Sequence, residues 1–207
     1  MKRLLALSLF SLAAAFTAAT AAAPAASVGQ PAPAFTARDT AGRTVSLADF
    51  KGKTVVLEWV NPGCPYVQKH YRSGNMPGTQ REAAAKGVVW LAVNTTATDH
   101  ADYLAPPALA DWMKSHQAAA SATLMDSDGI IGRAYGARTT PHMYVIDPAG
   151  TLVYAGAIDN RPTARIADLE GATNHVKVAL AESLAGKPVS TPLTRAYGCS
   201  VKYRSGA

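Results

Sequence analysis

Trp59-Val60-Asn61-Pro62-Gly63-Cys64-Pro65-Tyr66-Val67 is where one kind of structure stops and another starts. Upstream, Thr54-Val-Val-Leu-Glu-Trp-Val60 is a short, β-branched apolar run that suits a strand buried on both faces. Asn61-Pro62-Gly63 breaks that run. Pro65 then fits the first turn of a helix, where its missing N–H costs nothing, and Val67 to Tyr71 can continue it. The stretch predicts strand, turn and helix, with Cys64 at the junction. A helix start carries free N–H groups and partial positive charge, and both favour a sulfur anion. Thiolate is the nucleophile of disulfide exchange and of peroxide attack. The competing use of such a cysteine is as a small buried apolar residue.

The pattern continues on both sides. Asn75 is a candidate cap for a helix over Pro77 to Lys86, ended by Gly87, and Val88 to Val93 is the next apolar strand. A helical stretch follows Pro106-Pro107 as far as Gln117, and Ala122 to Met125 is a brief strand. Asp126-Ser-Asp-Gly129 opens a short helix through Tyr135. His142 to Asp147 and Thr151 to Ile158 flank the turn Pro148-Ala-Gly150 and read as a hairpin; Thr173 to Ala185 is a last helix, stopped by Gly186. Asp39 to Gly42 marks an earlier hairpin. Alternating strands and helices closed by a hairpin imply an α/β fold, its sheet part parallel and part antiparallel.

The front of the chain has a different character. Met1-Lys2-Arg3 precedes an apolar run, Leu4 to Leu12, and then an Ala/Thr stretch with Ala-x-Ala sites between about Ala19 and Ala26. These are the three regions of a secretory signal, with residues 1–26 removed and the mature domain running over residues 27–207. The apolar run is shorter than the ~20 residues needed to span a bilayer, so no membrane span is expected in the mature chain. The expected location is the periplasm or cell envelope, an oxidising compartment for Cys64 and Cys199. Without Lys2 and Arg3 the formal charge falls from +6 to +4. The remaining cations are scattered, with no basic stripe interleaved with aromatics, so no nucleic-acid partner is expected.

Trp59 to Val67 resembles the active-site turn of thioredoxin-like proteins, with Cys64 at the first position of their Cys-x-x-Cys and Val67 at the second. Thr139-Thr140-Pro141 before Met143-Tyr-Val-Ile-Asp147 is similar to their cis-proline segment. Cys64-Pro65-Tyr66-Val67, with the late Thr194 and Gly198-Cys199-Ser-Val-Lys-Tyr203, resembles the peroxiredoxin-like (alkyl hydroperoxide reductase/thiol-specific antioxidant) branch of the redoxins. The resemblance implies a thioredoxin-like α/β fold: a central mixed sheet flanked by helices, an N-terminal hairpin, and a C-terminal Cys-bearing tail from about residue 187. It also implies that the backbone of Thr140, next to Pro141, pairs with an extended substrate, with Pro65 and Tyr66 shaping the rim. Glu58 falls where thioredoxins place a buried acid; the alternative is a carboxylate turned to solvent.

The function implied is a thiol-dependent oxidoreductase. Cys64 attacks a disulfide or oxidised thiol, of a protein or a small molecule; Cys199 resolves the mixed species, and an unidentified redox partner resets the pair. No cofactor is needed. Three fates remain open for Cys199: redox partner of Cys64, permanent structural clip, or unrelated thiol. A peroxidase is the second enzymatic reading. Yet peroxiredoxins place their nucleophile after Pro-x-x-x-Thr/Ser-x-x, and Leu57 and Asn61 occupy those positions here. The non-enzymatic reading is a platform for a partner protein or for copper, with Cys64, His142 and Cys199 as soft-metal ligands. His70 is expected to point away from the Cys64 site.

Overall fold

A computed structural model describes residues 25–204 of the chain. The expected export segment, residues 1–26, lies almost wholly outside them. In chain order the strands are β1 (Thr36–Asp39), β2 (Thr44–Ser46), β3 (Val55–Trp59), β4 (Val89–Asn94), β5 (Ala122–Met125), β6 (Thr139–Thr140), β7 (Met143–Ile146), β8 (Leu152–Gly156) and β9 (Cys199–Ser200). The helices are α1 (Pro65–Arg72), α2 (Asn75–Ala84), α3 (Pro106–Ser115), α4 (Ile130–Tyr135) and α5 (His175–Leu184).

Seven strands form one sheet in the order β2-β1-β5-β4-β3-β7-β8, and β6 and β9 pair separately. β4 runs parallel to both β3 and β5, whereas β7, β8 and β1 join antiparallel. Every residue of β3 and β4 is buried, as continuous apolar strands under two layers should be. Alternation along β3 divides the core. Val56 and Val60 face α1, α2, α3 and α5, in company with Tyr71, Trp90 and Met113. Val55, Leu57 and Trp59 face the other layer, with Tyr135, Tyr144 and Leu152.

Local starts and stops differ from expectation where tertiary contacts claim a side chain. α2 begins at Asn75 itself, behind a left-handed Gly74, because the Asn75 amide is taken by the Nδ1 of His70 at 2.8 Å and is not a cap. α4 begins after Gly129, yet Asp126 caps it from a distance: its carboxylate accepts from the N–H groups of Ile131 and Gly132 at 2.9 and 2.8 Å. Asp126 also accepts from the Thr95 hydroxyl, which in turn accepts from the Trp59 indole N–H at 3.0 Å. Asp126→Ala strands all three donors in the core. The expected cost is about 3 kcal/mol, read as a lower urea midpoint with an unchanged slope.

After α5 the chain returns along the sheet as a tail. Leu193 bridges Ala155, Thr194 N–H donates to Ala155 O at 3.1 Å, and the Thr194 hydroxyl accepts from Ala157 N–H at 2.8 Å. The approach is so close that a Cβ on Gly156 would lie 2.1 Å from the Thr194 hydroxyl oxygen. Further on, Ala97 N–H donates to Lys202 O at 2.8 Å and the Tyr203 phenol donates to Ala137 O at 2.7 Å. Among the described residues no helix is long and apolar enough to cross a membrane.

Candidate active site

The turn after β3 is built by its own side chains. Asn61 accepts from Gly63 N–H at 2.8 Å and donates to Asp102 at 3.0 Å; Gly63 lacks the Cβ that would meet that carboxylate at 2.9 Å. Cys64 stands at the N-cap of α1, in extended backbone, with Pro65 at the first helical position. The residue is 1% exposed, and its sulfur donates to the Thr140 carbonyl at 3.0 Å. The Thr140–Pro141 bond is cis. Tyr66 lies half-buried at the rim, its ring 5.8 Å from that of Tyr197.

The tail crosses this turn. β9 pairs antiparallel with β6, setting Cys199 opposite Thr140 and Ser200 opposite Thr139. Both cysteines are free thiols, and they touch: burial, a hydrogen bond to Cys64 and the charge of Cys64 together push the Cys199 thiol up to about 12. Cys199 is the partly exposed thiol of the two, and Cys64 lies beneath it. Distant in sequence, the two sulfurs are neighbours because the tail borrows the backbone edge of Thr140.

Glu58 points into the apolar layer that holds Cys64 and is fully buried, not turned to solvent. It accepts three hydrogen bonds, from Tyr71 O–H (2.8 Å), Gln80 Nε2 (2.9 Å) and Trp90 Nε1 (2.8 Å). Burial raises its carboxyl to about 7, and the three donors hold it from rising further. Sequence reasoning missed these three partners. A Trp in a strand and a Tyr in a helix carry no local sign that their polar ends converge on one carboxylate.

His142 corrects an expectation. It lies on the opposite face of the sheet from Cys64, tilted over the Tyr144 ring at 4.5 Å, with Nδ1 3.2 Å from the Tyr144 hydroxyl. Strand alternation puts it on the Tyr144 side, so Cys64 and His142 do not assemble as metal ligands. Among the described residues no three His, Cys, Asp or Glu side chains are placed to hold a metal.

His70 goes beyond another. The expectation is only that it points away from Cys64, yet it is buried beneath the tail with Lys69 and Asp159 as part of a polar cluster. Burial lowers its imidazole to about 4, so it is neutral at pH 7. Asn75 donates to Nδ1, which leaves Nε2–H to donate to the Tyr197 phenol oxygen at 3.2 Å. Tyr197 O–H donates in turn to Asp159 at 2.5 Å. Adjacent Lys69 and His70 on the buried side of α1 were the available signal; their partner lies in the distant tail.

Residues 28–155 match the AhpC/TSA family. The chain belongs to that family. The match takes in Glu58, Cys64 and the cis-proline; the Cys199 tail lies beyond it. The thiol-disulfide oxidoreductase ResA of Bacillus subtilis is 28% identical over 127 residues, 61% of this chain and 65% of ResA. This family member thus spans just under two thirds of that relative. An uncharacterized conserved protein from Geobacillus kaustophilus superposes with a TM-score of 0.75 at 25% identity, over 87% of this chain and 94% of that one. The thioredoxin domain of a thiol-disulfide oxidoreductase from Bacteroides vulgatus superposes at 0.50 with 25% identity, over 62% and 87%. The AhpC/TSA chain therefore has the thioredoxin fold.

Proposed function

We propose that the protein is an extracytoplasmic thiol-disulfide oxidoreductase with Cys64 as nucleophile and Cys199 as resolving thiol. The observation that carries the reading is the contact between these two sulfurs at the cis-proline, inside a family and fold whose named relatives exchange disulfides. Support for export comes from the signal pattern of residues 1–26.

Cys64 thiolate attacks one sulfur of a substrate disulfide. A Cys64–substrate bond forms, the substrate bond breaks and the second substrate sulfur leaves as thiolate. Cys199, freed of its proton, then attacks the Cys64 sulfur. The Cys64–substrate bond breaks, the first substrate sulfur leaves as thiolate, and the Cys64–Cys199 disulfide remains. Two electrons have passed from the pair to the substrate, and an external dithiol returns them. Burial first, and the neighbouring Cys64 second, hold the proton on Cys199, and the part due to Cys64 is relieved once Cys64 is tied up in the mixed disulfide. Glu58, with a carboxyl near neutrality in the same core layer, is suited to take up and return the proton.

Equilibration in graded dithiol/disulfide buffers, followed by alkylation and mass mapping, tests the pair. The expected result is one reversible Cys64–Cys199 bridge with a potential above about −300 mV. A bridge that resists reduction in the folded protein points to a structural clip. Thiols that never pair remove Cys199 from the reaction.

A further inference from the structure

The two thiols present a conflict of access. Cys64 is 1% exposed, whereas Cys199, the thiol with access to solvent, keeps its proton. An extended chain bringing a disulfide to Cys64 needs a backbone edge to lie on, and the edge beside the sulfur is that of Thr140. That edge is already paired with residues 199–200 of the protein itself. The fit is tight: a Cβ on Gly198 would lie 2.0 Å from the Thr140 carbonyl oxygen.

At the far end, buried Val201 donates its N–H to Arg138 O at 3.0 Å; at the near end the segment is held by the Tyr197 side chain. Tyr197, immediately before Gly198, sends its phenol into the buried Lys69–His70–Asp159 cluster. It accepts from His70 and donates to Asp159, and its ring lies between Tyr66 and the Lys69 ammonium, which is 5.6 Å from the ring centre. Asp159 Oδ1 accepts from both Tyr197 and Arg161 N–H, while Oδ2 has no hydrogen-bond partner. Beside Tyr197, a cleft of about 530 Å³ opens between Asn160, Pro162, His175 and Arg195. The ring therefore has an adjoining space to move into. On either side, Thr194 and Lys202 tie the tail to Ala157 and Ala97.

We infer that Tyr197 is a positioning residue, the latch of a strap spanning residues 195–200: closed, it seats Cys199 on Cys64; open, it frees the Thr140 edge for an extended substrate. The inference rests on Cys64 as the reacting thiol. It adds a determinant of specificity, because only substrates able to displace or outlast the strap meet the buried sulfur. A polypeptide disulfide with a free extended flank is the substrate class that exchanges its own strand for residues 199–200.

The test measures access, not turnover. In a Cys199→Ser parent, Cys64 is the sole thiol, and its alkylation by iodoacetamide reports opening. Tyr197→Phe keeps the ring and removes both hydroxyl hydrogen bonds; the expected rise in alkylation rate is about tenfold or more. The rate should stay flat up to roughly 1 M urea, as local opening does and global unfolding does not. Gly198→Ala unseats the strap by a different route, through the clash with Thr140, and is expected to give a rise of similar size. With both native cysteines present, Tyr197→Phe should also weaken Cys64–Cys199 bridging against glutathione by a comparable factor.

The latch is overturned if Tyr197→Phe alkylates at the parent rate, whatever Gly198→Ala does, or if its rise carries the urea dependence of unfolding. Loss of disulfide-exchange activity in the native protein would refute the proposed function while leaving the alkylation result intact, so the two failures are separable.

Discussion

Cys64→Ser is expected to lower the rate of disulfide reduction about a thousandfold or more, because a serine hydroxyl at neutral pH offers almost no anion to attack sulfur. The site gives this substitution little structural cost. Cys64 is small, buried and at a helix N-cap, a position serine favours, and the Thr140 carbonyl at 3.0 Å can accept from a hydroxyl as it does from the thiol. Cys199→Ser is expected to behave differently. The first attack persists, but the mixed disulfide has no internal thiol to resolve it and accumulates. Incubation with glutathione disulfide followed by intact mass should show a one-glutathione adduct on Cys199→Ser and none on Cys64→Ser. The native protein should instead pass through the adduct to a mass lower than the dithiol by two hydrogen atoms. Equal adduct formation on Cys199 alone would reverse the assignment of the two sulfurs.

Glu58→Gln is expected to change the pH dependence of stability by about 3 kcal/mol between pH 4 and pH 8. The folded carboxyl titrates near 7 against an ordinary 4.5. Between those values the folded state binds more protons than the unfolded chain, so the native protein loses stability as pH rises from about 4.5 to 7 and no further above it. An amide at this site does not titrate, and that loss is absent. Its Oε1 keeps the Gln80 and Trp90 donors, and its NH₂ faces the Tyr71 hydroxyl, which can turn to accept. Neighbouring groups titrate in overlapping windows. Buried Asp126, raised to about 6, also favours low pH, whereas His70 and His142, lowered to about 4, favour higher pH. They are common to both proteins and cancel in the difference between variant and native urea-unfolding curves. A difference that is flat with pH would place the Glu58 carboxyl at an ordinary value. If Glu58 also carries the proton of the exchange, the native pH–rate profile bends near 7 and the variant's does not.

Much of this was legible along the chain. The strand, turn and helix around Cys64, the later hairpin and the thioredoxin resemblance of Thr139-Thr140-Pro141 rest on local chemistry: β-branched runs, a helix-starting proline and glycine turns. Such signals act over a few residues, so they survive in any context. The position of Glu58 inside β3 also limited it to one of two faces.

What lay beyond the sequence was everything that joins distant segments. Whether Glu58 met water or a Trp90–Tyr71–Gln80 cradle depended on which helices covered that face of the sheet. His142 and Cys64 are both near Pro141 in the fold, yet the alternation that continues into β7 sets the imidazole with Tyr144 in the far layer. His70 could be read only as lying off the Cys64 side of its helix; that its imidazole meets Tyr197 depended on where the tail runs. By itself, the sequence determined the fold and placed a thiol at the start of a helix, since periodicity and turn residues encode both. Only the tertiary structure decided that Cys199 lies on Cys64 and that the tail covers the Thr140 edge, because backbone pairing across such a distance leaves no local mark on either strand.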